Sequence, residues 1–315
     1  MRHDITVIGA AILDVLAGQV NPSVFQKGSL PMQNISLSFG GDALNEAVVL
    51  SQLGMDVELI SKVGNDEAGK RVLDFLKEKG VAANIKIEED LATGINIVLV
   101  DEDGERSFLT NPASSLRKLS EEDVMEHIDE AGDIVCIASM FVSQVLDIPA
   151  MERVFQKIKS KPNRILVADM TTPKNGECIE DIACLLKYID YFIPNEKEAE
   201  CLTGQTNIYK NAELLVEYGA SCVVIKNGKA GCLIKTKYEE IEIEAYKHAK
   251  AIDTTGAGDS FAAGFVYGLK NNWGLAECGR FGCAVASCTV ENLGANDAIK
   301  SLEIPMKRYQ EMIEQ

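Results

Sequence analysis

Short runs of apolar and β-branched residues alternate along the chain with longer stretches in which apolar residues recur every three to four positions. The short runs predict buried strands at 5–9, 57–63, 134–138, 165–169, 191–194 and 222–226. The amphipathic stretches predict helices at 42–53, 67–79, 120–130, 150–160, 178–188, 196–202, 208–219, 259–270, 275–291 and 304–313. Because strands that are apolar throughout must be covered on both faces, the pattern predicts an α/β fold with a mostly parallel sheet flanked by helices.

Two segments break this alternation. Residues 15–38 show no helical period, and residues 93–110 have the pattern of a hairpin around the turn Asp101-Glu-Asp-Gly104. We expect the two segments to pair into one small antiparallel sheet outside the main sheet, where it could close over a substrate as a lid. The alternative is that both are edge hairpins of the main sheet.

The composition narrows the possible partners. The 315 residues include 31 Lys and Arg against 48 Asp and Glu, a formal net charge of −17, so nucleic acids and anionic membranes are not expected partners. No apolar run has the length of a membrane span, and no signal-peptide cleavage site follows the apolar run between Asp4 and Asp14. Nine cysteines without a C-x-x-C pair indicate reduced thiols in the core. We therefore expect a cytoplasmic protein.

A glycine-rich loop that opens a helix gives the strongest indication of chemistry. Its sequence is Asp253-Thr-Thr-Gly-Ala-Gly-Asp259. The backbone N–H groups of such a loop converge at a helix N-terminus, where they form an anion hole suited to a phosphoryl group in transfer. The positive end of the helix dipole should keep Asp259 ionised and able to accept a proton from a hydroxyl. The alternative is that Asp259 only caps the helix.

A second glycine motif suits the binding of hydroxyl groups. Gly40 and Gly41 follow a strand-like segment and would let a ligand touch the backbone. Asp42 and Asn45 lie three positions apart at the start of the next helix and offer a carboxylate and an amide on one face. Asp14 ends the first apolar run, at the edge where ligands of open α/β sheets bind.

Two further strand ends carry polar side chains. After the run at 191–194, Asn195 and Glu198 could act on Mg²⁺ through water, although the same pair also fits a helix capping box. Lys226 ends the next strand before a glycine turn and could reach a nucleotide phosphate, or could be a solvated lysine.

Taken together, these segments resemble the PfkB-type carbohydrate kinases, the ribokinase-like family. The similar blocks lie at 40–47, 194–199, 223–231 and 253–261, in the order that the family has them. The resemblance covers nearly the whole chain and implies a single domain over 1–315, with a three-layer α/β fold and a small β-sheet lid. Within the family, the chain is most similar to a bacterial sugar-kinase branch with Gly-Gly-Asp-Ala-x-Asn-Glu-Ala.

The resemblance implies transfer of a phosphoryl group from Mg²⁺–ATP to a hydroxyl, usually a terminal CH₂OH. It implies a role for each matching residue. By this resemblance, the catalytic base is Asp259, and the anion hole is formed by Gly256, Ala257 and Gly258. The acceptor is bound by Asp14, Gly40, Gly41, Asp42 and Asn45. Mg²⁺–ATP is bound by Asn195 and Glu198, and the nucleotide by Lys226, Gly228 and Gly231. In members activated by K⁺, positions matching Asp253 and Thr255 help to hold the cation, with carbonyls near Gly294-Ala295.

The acceptor is expected to be a ketose or a sugar acid. Asn96 and Asp169 add to the residues that could bind its hydroxyls, and Arg106 on the hairpin could pair with a carboxylate. Asp42 stands where ribokinase carries Lys, and the segment Ser139-Met-Phe-Val lacks a Glu that ribokinase uses, which argues against ribose.

The sequence also fits two alternative functions and an oligomer. A nucleoside kinase of the same fold would need an apolar platform for a base, which Phe108, Met140 and Phe141 could supply. A sensor that keeps the fold without the chemistry is a second alternative, although every catalytic position is filled. Some family members pair through their lids, so a homodimer is a further expectation.

Overall fold

Strands and helices follow one another along the chain much as the pattern predicts. In this computed structural model, the described residues are 2–18, 20–21, 31, 34–100, 106–292, 294–296 and 298–314. The described strands are β1 (Ile5–Ile8), β2 (Ile12–Gly18), β3 (Asn34–Gly40), β4 (Val57–Gly64), β5 (Ala82–Glu88), β6 (Ile95–Val100), β7 (Arg106–Thr110), β8 (Ile134–Met140), β9 (Ile165–Met170), β10 (Tyr191–Phe192), β11 (Cys222–Lys226), β12 (Cys232–Thr236) and β13 (Glu240–Ile243). The described α-helices are α1 (Asp42–Gln52), α2 (Glu67–Glu78), α3 (Glu121–Met125), α4 (Ile148–Lys159), α5 (Ile179–Leu186), α6 (Glu196–Thr203), α7 (Ile208–Glu217), α8 (Ala257–Lys270), α9 (Leu275–Thr289) and α10 (Glu303–Ile313).

The larger sheet has the strand order β13-β12-β11-β10-β9-β8-β1-β4-β5. Its strands pair in parallel from β11 through to β5, and β12 and β13 add an antiparallel edge. β1, β4 and β8 are buried almost throughout, as parallel strands covered on both faces must be. The prediction of a mostly parallel central sheet is confirmed.

Helices cover both faces of this sheet and complete three layers. On one face, α1, α2, α8, α9 and α10 pack their apolar sides into one core, which includes Phe265, Phe281 and Tyr309. On the other face, α3 to α7 build a second core around residues such as Phe155 and Leu215. The N-termini of α1 and α8 lie at the carboxyl edge of the sheet, where β8, β9 and β11 end, and this arrangement positions the candidate site.

A smaller sheet stands apart from the main one, with the order β3-β2-β6-β7. β2 pairs antiparallel with β3 and β6 pairs antiparallel with β7, whereas β2 and β6 are parallel. The segments 15–38 and 93–110 therefore do meet in a separate sheet, but it is mixed rather than antiparallel. Parts of both segments, including the predicted turn at 101–104, lie outside the described residues.

The prediction that Asp14 ends the first strand is wrong. The apolar run at 5–13 is continuous in the sequence, yet β1 ends at Ile8 and β2 begins at Ile12 in the other sheet. The chain turns at Gly9, whose φ of 153° favours glycine. Asp14 therefore belongs to the smaller sheet rather than to the end of the first strand.

Other elements are missing from the prediction or differ in length. β5, β12 and β13 were not predicted, and the helix predicted at 120–130 is α-helical only as α3. β13 has the sequence Glu-Ile-Glu-Ile and lies at a sheet edge, so its polar positions hide it from a search for continuous apolar runs. No helix in the described parts of the chain is both long and apolar enough to cross a membrane.

Candidate active site

Two adjoining cavities open at the carboxyl edge of the main sheet. The first has a volume of about 400 Å³ and lies between the smaller sheet and the glycine-rich loop. The second has a volume of about 360 Å³ and lies over the ends of β9 and β11. Asp42 and Asp259 line both cavities, so these two carboxyl groups stand where the cavities meet.

The glycine-rich loop ends at the N-terminus of α8. Gly256 is the N-cap with a φ of 70°, and the helix begins at Ala257, two residues before the predicted start. Asp259 therefore lies in the first turn of the helix and does not cap it. The loop is braced because the Asp253 carboxylate accepts hydrogen bonds from the Thr255 N–H (2.9 Å), the Thr255 hydroxyl (2.7 Å) and the Gly294 N–H (2.8 Å).

Asp259 is held by a neighbouring amide. The Asn45 Nδ2 donates a hydrogen bond to its Oδ2 over 2.7 Å. Removal from bulk water raises the pKa of Asp259 well above its usual range, and the nearby Asp42 carboxylate raises it further. Burial and Asp42 therefore oppose the effect that the helix dipole has on Asp259. As a general base Asp259 acts in its ionised form, which the charge of Lys226 favours.

The first cavity presents hydrogen-bond acceptors. Asp14 and Asn96 are paired in register on β2 and β6, and both line the cavity together with Asn45. The Oδ1 atoms of Asn45 and Asn96 are buried and have no hydrogen-bond donor among the described residues. Buried amide oxygens are rarely left unpaired, so these two atoms favour a ligand that carries hydroxyl groups.

The glycines of the second motif give this cavity its shape. A side chain on Gly40 would overlap the Asp14 carboxylate, and one on Gly41 would overlap the backbone carbonyl of Ala10. Gly41 is the N-cap of α1 and has a φ of 94°. The paired glycines therefore let Asp14 and the start of α1 approach each other closely.

Lys226 lies among several carboxyl groups in the second cavity. Lys226 Nζ donates to the Oδ2 of Asp169, and the Ser139 hydroxyl donates to the Oδ2 of Asp42. Asp169 lines this cavity and not the first one, so its predicted place among the acceptor-binding residues differs from where the structure puts it. Burial raises the pKa of Asp169 to about 6.

Asn195 and Glu198 form the predicted capping box and also line the second cavity. In this capping box, which lies at α6, Asn195 Oδ1 accepts from the Glu198 N–H (2.9 Å) and Glu198 Oε2 accepts from the Asn195 N–H (2.8 Å). Burial, together with the charge of Asp169, raises the pKa of Glu198 to about 7.

The charges of the second cavity fit a bound magnesium ion. Asp42, Asp169, Glu198 and Asp259 line it, and Lys226 is the one Lys or Arg side chain there within the described ranges. Such an excess of carboxyl groups favours a cation. The described residues contain no cluster of three or more His, Cys, Asp or Glu that could hold a metal ion alone, so Mg²⁺ would keep waters and phosphate oxygens as ligands.

Four of the predicted residues, Gly40, Gly231, Asp253 and Ala257, line neither cavity, and the side chain of Arg106 cannot be placed. Gly231 has a φ of 100°, and it closes the turn between β11 and β12, where a side chain would overlap the Ile243 carbonyl. Gly228, in contrast, lines the second cavity. Arg106 begins β7, but its side chain lies outside the described parts of the structure.

The sequence reasoning missed two polar residues, one that lines the second cavity and one that is buried beside the site. Ser139 binds Asp42, and its position near the end of β8 could have indicated this. Glu46 is 2% exposed, its Oε1 has no hydrogen-bond partner within the described residues, and burial raises its pKa well above the usual range. It lies one helical turn after Asp42, so the helical period could have placed it on the same face.

These buried carboxyl groups should make the free protein less stable as the pH rises. The folded-state pKa of Asp169 (about 6) and that of Glu46 are raised above the unfolded values, so their stabilising contribution is complete at low pH and is lost as the pH rises through the folded pKa. Exposed carboxyls with lowered pKa values, such as Asp66, titrate below this window. We expect the Tm, measured by circular dichroism without ligands, to fall between about pH 5 and pH 8.

The Glu46→Gln variant is the matched control for this pH dependence. It removes one titrating group without changing the shape of the side chain, so its Tm should fall less steeply over the same range. A Tm that stays level or rises with pH in the unsubstituted protein would contradict the assignment.

Comparison with known proteins agrees with this architecture. The model of the pfkB family of carbohydrate kinases matches residues 2–302. An uncharacterized sugar kinase of Archaeoglobus fulgidus is 31% identical over 252 residues, which cover 79% of this chain and 97% of the relative. A 5-dehydro-2-deoxygluconokinase of Geobacillus thermodenitrificans is 25% identical over 319 residues, 95% of this chain and 91% of the relative.

A solved structure shares the fold over almost the full length. Arabidopsis thaliana ribokinase, in complex with ribose and ATP, superposes with a TM-score of 0.83 at 23% sequence identity, and the match covers 98% of this chain and 99% of the ribokinase chain. The predicted three-layer ribokinase-like fold is confirmed. With a family model that spans nearly every residue, and with sugar kinases among its relatives, the chain belongs to the pfkB family of carbohydrate kinases, which are phosphotransferases that act on a hydroxyl group.

Proposed function

We propose that this protein transfers the γ-phosphoryl group of ATP to a hydroxyl, the terminal CH₂OH, of a ketose or a sugar acid. The observation that carries the proposal is the position of Asp259. Its carboxyl group stands where the two cavities meet, in the first turn of α8 beside the backbone of Gly256 to Gly258. An acceptor in the first cavity and a nucleotide phosphate in the second would meet at this carboxyl group.

The first cavity binds the acceptor. Asp14 accepts hydrogen bonds from sugar hydroxyls, and so do the unpaired amide oxygens of Asn45 and Asn96. Gly40 and Gly41 leave room for the sugar, and Asp42 contacts it near the point of transfer. Asn45 has a second role, since its amide nitrogen orients Asp259.

The phosphoryl group is then transferred in line where the two cavities meet, at Asp42 and Asp259. Asp259 accepts the proton of the acceptor hydroxyl while the hydroxyl oxygen forms a bond to the γ-phosphorus. The bond between that phosphorus and the bridging oxygen breaks, and its electron pair stays on ADP. The backbone N–H groups of Gly256, Ala257 and Gly258 donate to the phosphoryl oxygens as negative charge builds up on them.

The second cavity binds the nucleotide phosphates. Lys226 and Gly228 contact the phosphates, Gly231 shapes the turn that carries Gly228, and Asn195 and Glu198 hold waters of the magnesium ion. Mg²⁺, when bound, neutralises phosphate charge. We also propose a monovalent cation, K⁺, beside the anion hole at Asp253 and Thr255, because Asp253 ties the Gly294 segment to the loop.

The lining of the first cavity bears on the class of acceptor. Its described polar residues are carboxylates, amides and hydroxyls, with no Lys or Arg among them. A neutral ketose fits this lining as it stands, and a sugar acid fits if Arg106 pairs with its carboxylate. The 5-dehydro-2-deoxygluconokinase relative supports the sugar acid.

A nucleoside is the second candidate acceptor. Of the three residues proposed as a platform for a base, Phe108 lines the first cavity, but Met140 and Phe141 are buried and do not line it. One partly exposed aromatic ring offers a base little more than a single contact, so the geometry favours a sugar.

Release of ADP from Mg²⁺–ATP across a panel of ketoses, aldoses, sugar acids and nucleosides, with and without K⁺, tests the proposal. We expect turnover confined to sugars or sugar acids. The Arg106→Ala variant separates these two classes, because it should lower kcat/KM for acids and leave neutral sugars unaffected. Nucleoside turnover well above sugar turnover would overturn the proposed acceptor, and nucleotide binding without turnover on any acceptor would indicate a sensor.

We further propose one kinase domain over 1–315, with the smaller sheet acting as a lid and as the contact of a homodimer. Leu37, Val15, Ile97 and Leu109 lie side by side across its four strands, and Leu37, Ile97 and Leu109 are more than two-fifths exposed. A second copy of the chain would cover this apolar row.

The cytoplasm is the proposed location, since all nine cysteines are free thiols.

Light scattering tests the dimer. The purified chain should have twice the monomer mass, and replacing Leu37 and Ile97 by Lys should give monomers because charges would then face each other across the contact. Monomers of the unsubstituted chain at every concentration measured would refute the dimer.

A further inference from the structure

A largely buried lysine, Lys226, and its carboxylate partner, Asp169, line the second cavity. Lys226 is the last residue of β11, and its backbone N–H donates to the Pro194 carbonyl over 2.9 Å. Its side chain is 13% exposed and reaches across to α8. The Nζ atom lies 3.5 Å from the position that a Cβ on Gly258 would take, so the ammonium group lies against the backbone of the anion hole.

Asp169 holds this ammonium group in place. Its side chain is 6% exposed, its Oδ2 accepts from Lys226 Nζ, and its Oδ1 accepts from the Met170 N–H over 2.7 Å. Both carboxylate oxygens therefore have protein donors, and Asp169 lines only the second cavity. These contacts leave Asp169 no direct route to a sugar in the first cavity.

We propose that Lys226 is a catalytic residue whose ammonium group stabilises the phosphoryl group during transfer, and that Asp169 is the positioning residue that holds this ammonium group against the anion hole. The inference rests on the proposed function. It assigns Asp169 to the phosphoryl side of the reaction rather than to acceptor binding, and it gives Lys226 a role beyond nucleotide binding.

The chemistry of transfer explains why such a pair is needed. Negative charge spreads over the oxygens of the phosphoryl group as its bond to ADP breaks and its bond to the acceptor forms. A cation that is already in place stabilises this charge without reorganisation. A free lysine side chain has many rotamers, and the contact with Asp169 selects one of them before the nucleotide arrives.

The surroundings of Lys226 support its charged state. Burial alone would lower the pKa of this ammonium group, but the charges of Asp169 and Glu198 outweigh burial and raise it. Lys226 is also the one cationic side chain that lines the second cavity within the described residues.

Steady-state kinetics on the acceptor that the unsubstituted enzyme uses, with Mg²⁺–ATP, test the pair. Lys226→Met should lower kcat about 100-fold or more and leave the KM for the acceptor within about twofold. Asp169→Asn should lower kcat about 10-fold, again with little change in the acceptor KM. The double variant should be no slower than Lys226→Met, because Asp169 acts only through Lys226. Lys226→Arg should recover part of the lost activity.

Three results would overturn the proposal. An Asp169→Asn variant with a much higher acceptor KM and an unchanged kcat would make Asp169 an acceptor-binding residue. A Lys226→Met variant with a higher KM for ATP and an unchanged kcat would limit Lys226 to nucleotide binding. A double variant whose loss in kcat equals the product of the two single-variant losses would show that the two residues act independently.

Controls separate these outcomes from misfolding and from failure of the proposed function. Lys235→Met removes an ion-paired lysine of β12 outside both cavities and should keep full activity. The Tm and the ATP binding of each variant show whether it is folded. If Lys226→Met does not fold, the kinetics of Lys226→Arg are used in its place. If Asp259→Asn loses activity and the Lys226→Met enzyme keeps the kcat of the unsubstituted enzyme, this inference alone is refuted. If the unsubstituted enzyme shows no turnover, the proposed function is refuted.

Discussion

The Asp259→Asn variant should lose about 1,000-fold in kcat while it keeps its fold and its affinity for ATP. An amide cannot take the proton of the acceptor hydroxyl, yet it has nearly the shape of the carboxyl group. Burial and the neighbouring Asp42 already disfavour a negative charge at this position, so a neutral side chain should be tolerated or even raise the Tm. Steady-state ADP release and thermal unfolding measure the two effects.

The chain offers a matched control for this substitution. Asp74 is an exposed carboxyl on α2, outside both cavities, and Asp74→Asn makes the same chemical change there. Its kcat should equal that of the unsubstituted protein. An Asp259→Asn enzyme that retains more than about a tenth of the activity would show that another group accepts the proton.

The Gly256→Ala variant should have the second largest effect. Gly256 has a φ of 70° as the N-cap of α8, a conformation that costs a residue with a side chain roughly 1–2 kcal/mol. The added Cβ would also overlap Ala295, because it would lie only 2.9 Å from the Ala295 Cα. The loop must then shift, and its N–H groups lose their alignment on the phosphoryl group. We expect kcat to fall about 100-fold, with a lower Tm.

A second glycine isolates the steric part of this effect. Gly176 has a φ of 78°, close to that of Gly256, but a Cβ there would meet no atom within 4 Å. Gly176→Ala therefore carries the backbone cost without the overlap, and it should lower the Tm slightly and leave kcat unchanged. Equal kinetic losses in both variants would mean that the loop geometry is not what catalysis depends on.

The layered fold could be predicted from the sequence because its strands and helices differ in hydrophobic period. The boundary between the two sheets could not, since the residues from Ile5 to Leu13 form one apolar run and only the positive φ of Gly9 divides it. The edge strands β5 and β13 were missed for a related reason. Their polar positions face solvent, so they lack the continuous apolar pattern of the central strands.

The candidate site could be predicted as far as residue types at strand and helix ends allow. Strand ends and helix starts indicated Asp42, Asn195, Lys226 and Asp259, and the fold brings them around the second cavity. The hydrogen-bond or ion-pair partner of each side chain could not be predicted, because it depends on which strands lie next to each other in the sheet. The ion pair of Lys226 with Asp169 spans β11 and β9, which are separated by β10.

The pKa values of the site could not be predicted from the sequence either, because they depend on neighbours that are distant along the chain. The dipole of α8 predicts an ionised Asp259, whereas the folded chain surrounds this residue with other carboxyl groups and removes it from water. Glu46 shows the same limit, because only the packing of α1 against the sheet and α8 reveals that its carboxyl group is buried.

Phosphoryl transfer is measured most directly with ATP that carries a radiolabel in its γ-phosphate, incubated with the enzyme, Mg²⁺ and the acceptor that supports ADP release. The label should appear in a phosphorylated sugar, in an amount equal to the ADP formed, and the Asp259→Asn enzyme should form almost none. Label that appears only as inorganic phosphate, or a labelled sugar formed equally well by Asp259→Asn, would contradict a sugar kinase with Asp259 as its base.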